Sequence, residues 1–155
     1  MKLRALALAV LLASCAPLPS AAPTPAACGD TPSSGDPRTD VLALAERCAS
    51  GMSRVRGEAS GTQGESDPSA RLALEVRGAR SCFRVLAAGD AGVTELDVQI
   101  TDSGGRPVSR DARRGRLAVV PEDGLLCLPK GETYLVEIAV TGGRGAFVAQ
   151  VFSAR

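Results

Sequence analysis

Hydrophobic and polar residues alternate along two stretches in the second half of the chain. Leu96, Val98 and Ile100 are separated by polar residues, and the run from Tyr134 to Val140 shows the same period of two. This period places alternate side chains on opposite faces of an extended strand, so both stretches are predicted to be half-buried strands. Shorter apolar runs predict further strands at 72–76, 82–87, 117–120, 125–128 and 146–152, with a glycine turn over 141–145 before the last of them.

Short strands at this regular spacing are typical of a mainly β fold. We expect an antiparallel jelly roll or β-sandwich of seven to eight strands over residues 52–155. Ahead of it, Asp36 can cap a helix that has Pro37 at its first position, and Val41, Leu44 and Cys48 recur on one face. Residues 37–51 therefore predict one N-terminal α-helix packed on the domain, and a partner-binding helix is the alternative.

The first residues have the pattern of an export signal. Lys2 and Arg4 precede an apolar run over 5–13, which is shorter than the roughly 20 residues that a spanning helix needs. The run ends in Leu-Ala-Ser-Cys at 12–15, which resembles the lipobox of bacterial lipoproteins. The resemblance implies that residues 1–14 are a signal peptide cleaved before Cys15, and that Cys15 carries the lipid. An ordinary secretory signal with an incidental cysteine is the alternative.

Lipidation of Cys15 would anchor the protein to a membrane, because two or three acyl chains bind stably where one binds marginally. Ala16 stands where an aspartate would follow the cysteine, and by resemblance to Gram-negative lipoproteins this favours the outer membrane. Residues 15–36 are rich in proline, alanine and serine, which predicts a disordered tether between the lipid and the domain.

The remaining cysteines predict two disulfides, because their number is even and an exported protein meets an oxidising compartment. Of the three possible pairings we favour Cys28 with Cys48, which joins the tether to the predicted helix, and Cys82 with Cys127, which joins two strand-like runs. A nucleophilic thiol is the competing interpretation. It would need an activating base, and the chain contains no histidine.

Composition excludes several classes of function. The absence of histidine removes Ser-His-Asp catalysis and histidine metal sites. The formal charge of +1 and the 3% aromatic content argue against a nucleic-acid partner. Residues 102–104 (Asp-Ser-Gly) have the pattern of the aspartic-protease triplet, and the acidic residues at 90, 95, 97 and 102 suggest a calcium site. A tight turn explains the triplet, and a solvent-exposed strand face explains the acidic residues. We expect no catalytic residues, no metal and no cofactor, and hence no enzyme.

Arginine is concentrated between residues 106 and 116. Guanidinium groups bind phosphate through forked donors, so this segment is a candidate anion-binding site for an envelope glycolipid. A solvated hairpin loop is the alternative. The candidate residues are Arg110, Arg113, Arg114 and Arg116.

Two segments of the second half carry a family resemblance. They are GDAGVTELDVQITDSGGRPV at 89–108 and KGETYLVEIAVTGGRGAFVAQV at 130–151. With them, residues 82–153 resemble the pre-peptidase C-terminal domain family, which are small jelly-roll sandwiches of secreted bacterial proteins. The resemblance implies a non-catalytic accessory module. The two cysteines within this region are not part of the family pattern.

These observations predict an outer-membrane lipoprotein, anchored through Cys15 on the periplasmic or surface face, with a non-catalytic β-sandwich that binds an envelope component. The expected partner is an envelope protein, a glycan or a glycolipid. The alternative is an inhibitor or regulatory subunit of an envelope hydrolase or of a secretion or assembly complex.

Overall fold

The computed structural model describes Cys28 and residues 33–77 and 80–154. The predicted signal peptide, Cys15 and most of the predicted tether lie outside the described residues. The elements, in chain order, are helix α1 (Pro37–Cys48) and strands β1 (Ser53–Gly64), β2 (Ala70–Glu75), β3 (Arg80–Gly89), β4 (Val93–Thr101), β5 (Pro107–Arg110), β6 (Leu117–Val120), β7 (Leu126–Pro129) and β8 (Thr133–Ser153).

The strands form two antiparallel sheets that share β8. In the first sheet, the N-terminal half of β8 lies between β2 and β4, and β5 pairs with the other edge of β4. In the second sheet, the C-terminal half of β8 lies between β1 and β3, and β6 and β7 both pair with the far edge of β3. The predicted fold, a mainly β sandwich with one N-terminal helix, is confirmed.

Strand β8 passes from one sheet to the other near Gly143. Its φ is +79°, and a Cβ there would lie 2.3 Å from the carbonyl oxygen of Gly92, so only glycine fits. The predicted turn over 141–145 between two separate strands is wrong. The glycines instead bend one continuous strand, because the ladder with β4 is maintained through two register shifts and the Arg144 N–H donates to the Gly92 carbonyl at 3.0 Å.

Alternate side chains of the two sheets meet in the sandwich interior. This core is mostly aliphatic, with the aromatic rings of Phe83, Tyr134 and Phe147, and burial of each large apolar side chain stabilises the fold by roughly 1.5–3 kcal/mol. Its fully buried members include Val85, Leu96, Ile100, Ile138 and Phe147.

Helix α1 covers part of the outer face of the second sheet. Its N-cap is Asp36, whose carboxylate accepts a hydrogen bond from the Thr39 N–H at 2.7 Å. Val41, Leu44 and Cys48 face the sheet, where they pack against a second cluster formed by Leu86, Ala88, Val119, Val148 and Phe152. In the part of the chain that the structure describes, no helix has the length and apolar character needed to cross a bilayer.

Candidate binding site

The predicted anion-binding arginines lie in β5 and in the connection from β5 to β6, and they have different surroundings. Arg113 is half-buried, and its Nε donates to Oε1 of Glu122 at 2.5 Å. Arg116 donates from Nε to the Ser33 hydroxyl at 2.8 Å. Arg110 and Arg114 are exposed. Two of the four side chains therefore tie the segment to other parts of the domain, and anion binding stays a prediction.

Carboxylate groups lie beside the arginine segment in the folded protein. The Glu95 carboxylate accepts from the Gly115 N–H at 2.9 Å, and Oδ2 of Asp111 is buried without a hydrogen-bond partner among the described residues. Burial raises the pKa of Asp111 to about 6, although the backbone N–H of Arg113 donates to it. These carboxylates offset much of the positive charge that the sequence suggests for this segment.

The carboxylates considered for calcium or protease chemistry are engaged separately. Oδ1 of Asp102 accepts the N–H groups of Gly104 and Arg106, both at 2.9 Å, which is a turn of the Asx type. Oδ2 of Asp97 accepts the Thr141 hydroxyl at 2.9 Å. Over the described ranges, no group of three or more cysteine or acidic side chains is placed to hold a metal ion.

A groove of about 270 Å³ runs between α1 and the β1 side of the second sheet. Its wall on the helix includes Leu42, which is 57% exposed although it is a large apolar side chain. Single exposed hydrophobics are common, but this one borders a continuous apolar surface. The apolar lining consists of Val41, Leu42, Ala45, Val148 and Phe152, and we call this surface the helix groove.

The rim of the helix groove is charged. The Glu58 carboxylate accepts from Nη2 of Arg38 at 3.1 Å and also from Nη2 of Arg54. Both arginine side chains are more than half exposed, at 68% and 56%. Because two guanidinium groups share one carboxylate, the rim carries a net positive charge beside an apolar floor.

The buried Gln150 side chain forms hydrogen bonds with Arg54 of this rim and with the neighbouring backbone of β1. It is 1% exposed, and its Nε2 donates to the carbonyls of Val55 and Gly57 at 2.9 and 3.0 Å, while its Oε1 accepts from Nε of Arg54. The carbonyls belong to an irregular stretch where the β1–β8 register shifts between Arg54 and Glu58.

Sequence reasoning missed both Gln150 and Leu42. A glutamine inside an otherwise apolar strand, and a leucine off the apolar face of a helix, are the patterns that could have identified them.

A second cavity, of about 470 Å³, opens at one end of the sandwich. Leu74 and Phe83 are buried in its lining, and the exposed ion pair of Glu75 with Arg77, at 2.5 Å, lies beside it. The cavity adjoins the connection between β2 and β3, part of which lies outside the described residues, and no ligand is assigned to it.

The cysteines lie in two places. Cys82 and Cys127 form a disulfide of 2.02 Å between β3 and β7, as predicted. Cys28 and Cys48 are in contact on the outer face of the second sheet, where the Cys48 thiol donates to the Cys28 carbonyl at 3.4 Å. Their sulfurs are not bonded to each other in the structure, so this pairing stays a prediction.

Comparison with known proteins finds a similarity of backbone structure. A crystal structure of the pre-peptidase C-terminal domain of collagenase from Bacillus anthracis matches with a TM-score of 0.48 and 11% sequence identity, over 61% of this chain and 87% of that chain. No protein-family model matches the chain. No curated protein matches it. The sandwich itself is defined by the strand pairing of this protein.

Proposed function

We propose that this protein is an outer-membrane lipoprotein whose β-sandwich is a non-catalytic module that binds another envelope protein. The anchoring part of the proposal rests on the resemblance of residues 12–15 to a lipobox. Within the domain, the anchoring part is supported by hydrogen bonds that attach the end of the predicted tether to helix α1. The buried Asp40 carboxylate accepts from the Ser33 hydroxyl at 2.5 Å and from the Ser34 and Gly35 N–H groups at 2.7 and 3.2 Å.

These contacts keep Asp40 ionised. Burial raises its pKa, but the hydrogen bonds from Ser33, Ser34 and Gly35 outweigh burial and lower the pKa below its ordinary value. A charged, fully satisfied carboxylate is a firm attachment between the start of the domain and α1, as a tethered domain requires.

The observation that carries the binding part is the helix groove. Its apolar floor fits aliphatic side chains, and the uncompensated positive charge on its rim fits a carboxylate. A protein segment that presents an apolar residue next to an acidic one satisfies both. A glycan does not fit an apolar floor as well, and an anionic glycolipid is a competing outcome that the experiment below separates.

We further propose that the module is not an enzyme. The chain lacks histidine, and the carboxylates of Asp90, Asp97 and Asp102 are occupied by backbone or hydroxyl donors. If the partner proves to be a hydrolase or a subunit of a secretion or assembly complex, the module is its inhibitor or regulatory subunit.

Anchoring is tested by metabolic labelling with palmitate and by membrane fractionation. The full chain is expected to incorporate label and to sediment with outer membranes, whereas Cys15→Ser should lose both properties. Cys28→Ser is the matched control, because it also removes one cysteine near the N-terminus. Equal labelling of the wild-type chain and Cys15→Ser would overturn the anchoring proposal.

Binding is tested with the Cys15→Ser chain offered separately to envelope proteins, peptidoglycan and outer-membrane glycolipid. Leu42→Asp removes the exposed leucine of the groove, and Leu125→Asp is the matched control, because Leu125 is also exposed, at 40%, but lies elsewhere. A protein that binds the wild type and Leu125→Asp, and binds Leu42→Asp at least about tenfold more weakly, supports the proposal. The tenfold loss corresponds to about 1.4 kcal/mol.

Other outcomes contradict the proposal. Retention on glycolipid that is abolished by replacing Arg110, Arg113, Arg114 and Arg116 with serine would favour the anion-binding hypothesis instead. Retention of a protein that is equally weakened by Leu42→Asp and Leu125→Asp would place the binding surface outside the helix groove.

A further inference from the structure

The two cysteines that are not in the β3–β7 bridge meet at the C-terminal end of α1. Cys48 is the last residue of the helix and is buried, and Cys28 packs beside it against the cluster beneath the helix. The Cys48 thiol lies 3.4 Å from the Cys28 carbonyl oxygen, so the Cys48 side chain reaches the backbone of Cys28.

A buried arginine organises this contact. Arg84 projects from the outer face of β3 and is 8% exposed. Its Nη1 donates to the Cys48 carbonyl at 2.7 Å and to the Cys28 sulfur at 3.4 Å, and its Nη2 donates to the Gly124 carbonyl. One rigid guanidinium therefore contacts both cysteine residues and the β6–β7 connection.

We propose that Cys28 and Cys48 form a second disulfide in the exported protein, and that Arg84 is the positioning residue that holds the two cysteines together. The inference depends on the proposed function only in requiring export to an oxidising compartment. The oxidant is a disulfide, supplied in the cell by a thiol–disulfide oxidoreductase and in the test by oxidised glutathione.

The exchange balances in two steps. The half-buried Cys28 is the accessible thiol. As a thiolate, it attacks one sulfur of the oxidant and releases the other as a thiolate. Cys48 then loses its proton and attacks the Cys28 sulfur, which releases the second thiolate of the oxidant. Two protein thiols lose two protons and two electrons, and the oxidant disulfide becomes two thiols.

The bond would change how the domain is attached. Without it, the domain holds the tether at the Asp40 contacts with Ser33, Ser34 and Gly35. With it, a covalent attachment at Cys28 would lie closer in sequence to the predicted lipid at Cys15 than the Asp40 contacts do. The maximum distance between the sandwich and the membrane is shortened accordingly.

The bond is tested by non-reducing tryptic mapping of the exported full chain after its thiols are alkylated. Arginine and lysine residues separate the four cysteines onto four different peptides, so each pairing gives its own mass. We expect one cross-linked pair containing Cys28 and Cys48, and a second containing Cys82 and Cys127 as the internal control. Alkylated Cys28 and Cys48, or either of them linked elsewhere, would overturn the proposal. Palmitate labelling of the same preparation reports lipidation independently.

The role of Arg84 is tested by the rate of bond formation in the reduced Cys15→Ser chain with oxidised glutathione. Arg84→Gln is expected to slow formation of the Cys28–Cys48 bond at least tenfold while the Cys82–Cys127 bond forms at its normal rate, and Arg84→Lys should restore part of the rate. Arg77→Gln, an exposed arginine, is the matched control. Equal slowing of both bonds would show a general folding defect and overturn the positioning role, as would no slowing at all.

Discussion

At the scale of single residues, the bend of β8 near Gly143 depends on a close contact between the Asp90 carboxylate and Gly145. Asp90 accepts the Gly92 N–H at 2.9 Å and the Ala146 N–H at 2.8 Å, and these backbone hydrogen bonds, the one from Ala146 foremost, lower its pKa. A Cβ on Gly145 would lie 1.9 Å from the Asp90 carboxylate. A side chain at position 145 therefore cannot be accommodated while Asp90 keeps its hydrogen bonds to the Gly92 and Ala146 N–H groups.

Gly145→Ala is expected to lower the free energy of unfolding by about 2–3 kcal/mol, because the new methyl group must displace a hydrogen-bonded carboxylate. Urea denaturation checks this. Gly61→Ala is the control, since its Cβ would meet only the Phe147 ring at an ordinary 3.5 Å. Equal effects of the two substitutions would contradict the account.

Asp111 predicts a pH dependence with a definite sign. Its pKa is raised by burial to about 6 in the folded protein, from an ordinary value of 3.8. Between these values the folded state binds a proton that the unfolded state does not, so the stability contributed by this group falls as pH rises from about 4 to about 6. Asp111→Asn should remove that decline and stabilise the protein at pH 7.5 by about 1 kcal/mol, after allowance for solvent screening.

Thermal unfolding at pH 4.5 and 7.5 tests this expectation. The exposed Asp123→Asn is the control for loss of one negative charge. If Asp111→Asn and Asp123→Asn shift the melting temperature equally at both pH values, burial of Asp111 is not the cause.

At the scale of elements, Gln150 allows β1 to be irregular. The shift in the β1–β8 register leaves two carbonyls, those of Val55 and Gly57, which the buried Gln150 amide satisfies. Gln150→Leu should therefore destabilise the domain by about 1–3 kcal/mol despite the larger apolar surface, because the carbonyls lose their donor. Chemical denaturation measures the loss, and Gln99→Leu on β4 is the control. A neutral Gln150→Leu would show that water satisfies the carbonyls.

The disulfide Cys82–Cys127 is also an element-scale feature, because it fastens the short strand β7 to β3 across a sequence separation of 45 residues. The chain-entropy model gives about 4 kcal/mol for a loop of this length. The double variant Cys82→Ser/Cys127→Ser should lose stability of this order in urea denaturation. A loss below about 1 kcal/mol would mean that strand pairing alone holds β7.

Sequence pattern predicts the elements in which one face is buried and the other is not. β4 alternates, and so does the first half of β8, and both are found where expected. β1 was missed because its sequence, SRVRGEASGTQG, is polar and rich in glycine, and as an edge strand it needs few apolar residues. The bend near Gly143 was predicted as a turn because local composition does not show that strands on both sides continue to pair.

At the scale of the whole molecule, the candidate sites differ in how much the sequence could reveal. The arginine segment is visible in the sequence, but Glu95 and Glu122, which engage it, come from β4 and from the β6–β7 connection. The helix groove could not be predicted, because Leu42 and Phe152 are far apart in the chain and meet only when α1 packs on the second sheet. Charge partners and grooves are properties of the packed fold.

The shared strand β8 also sets the order in which the sandwich can assemble. β8 is the last of the eight strands in the part of the chain that the structure describes, and β1, β2, β3 and β4 all pair with it. A ribosome delivers these strands before β8, so neither sheet is complete until β8 has emerged. The complete sandwich can therefore form only after synthesis has reached β8, and under the proposed export the chain would lack its finished fold until its last strand has been made.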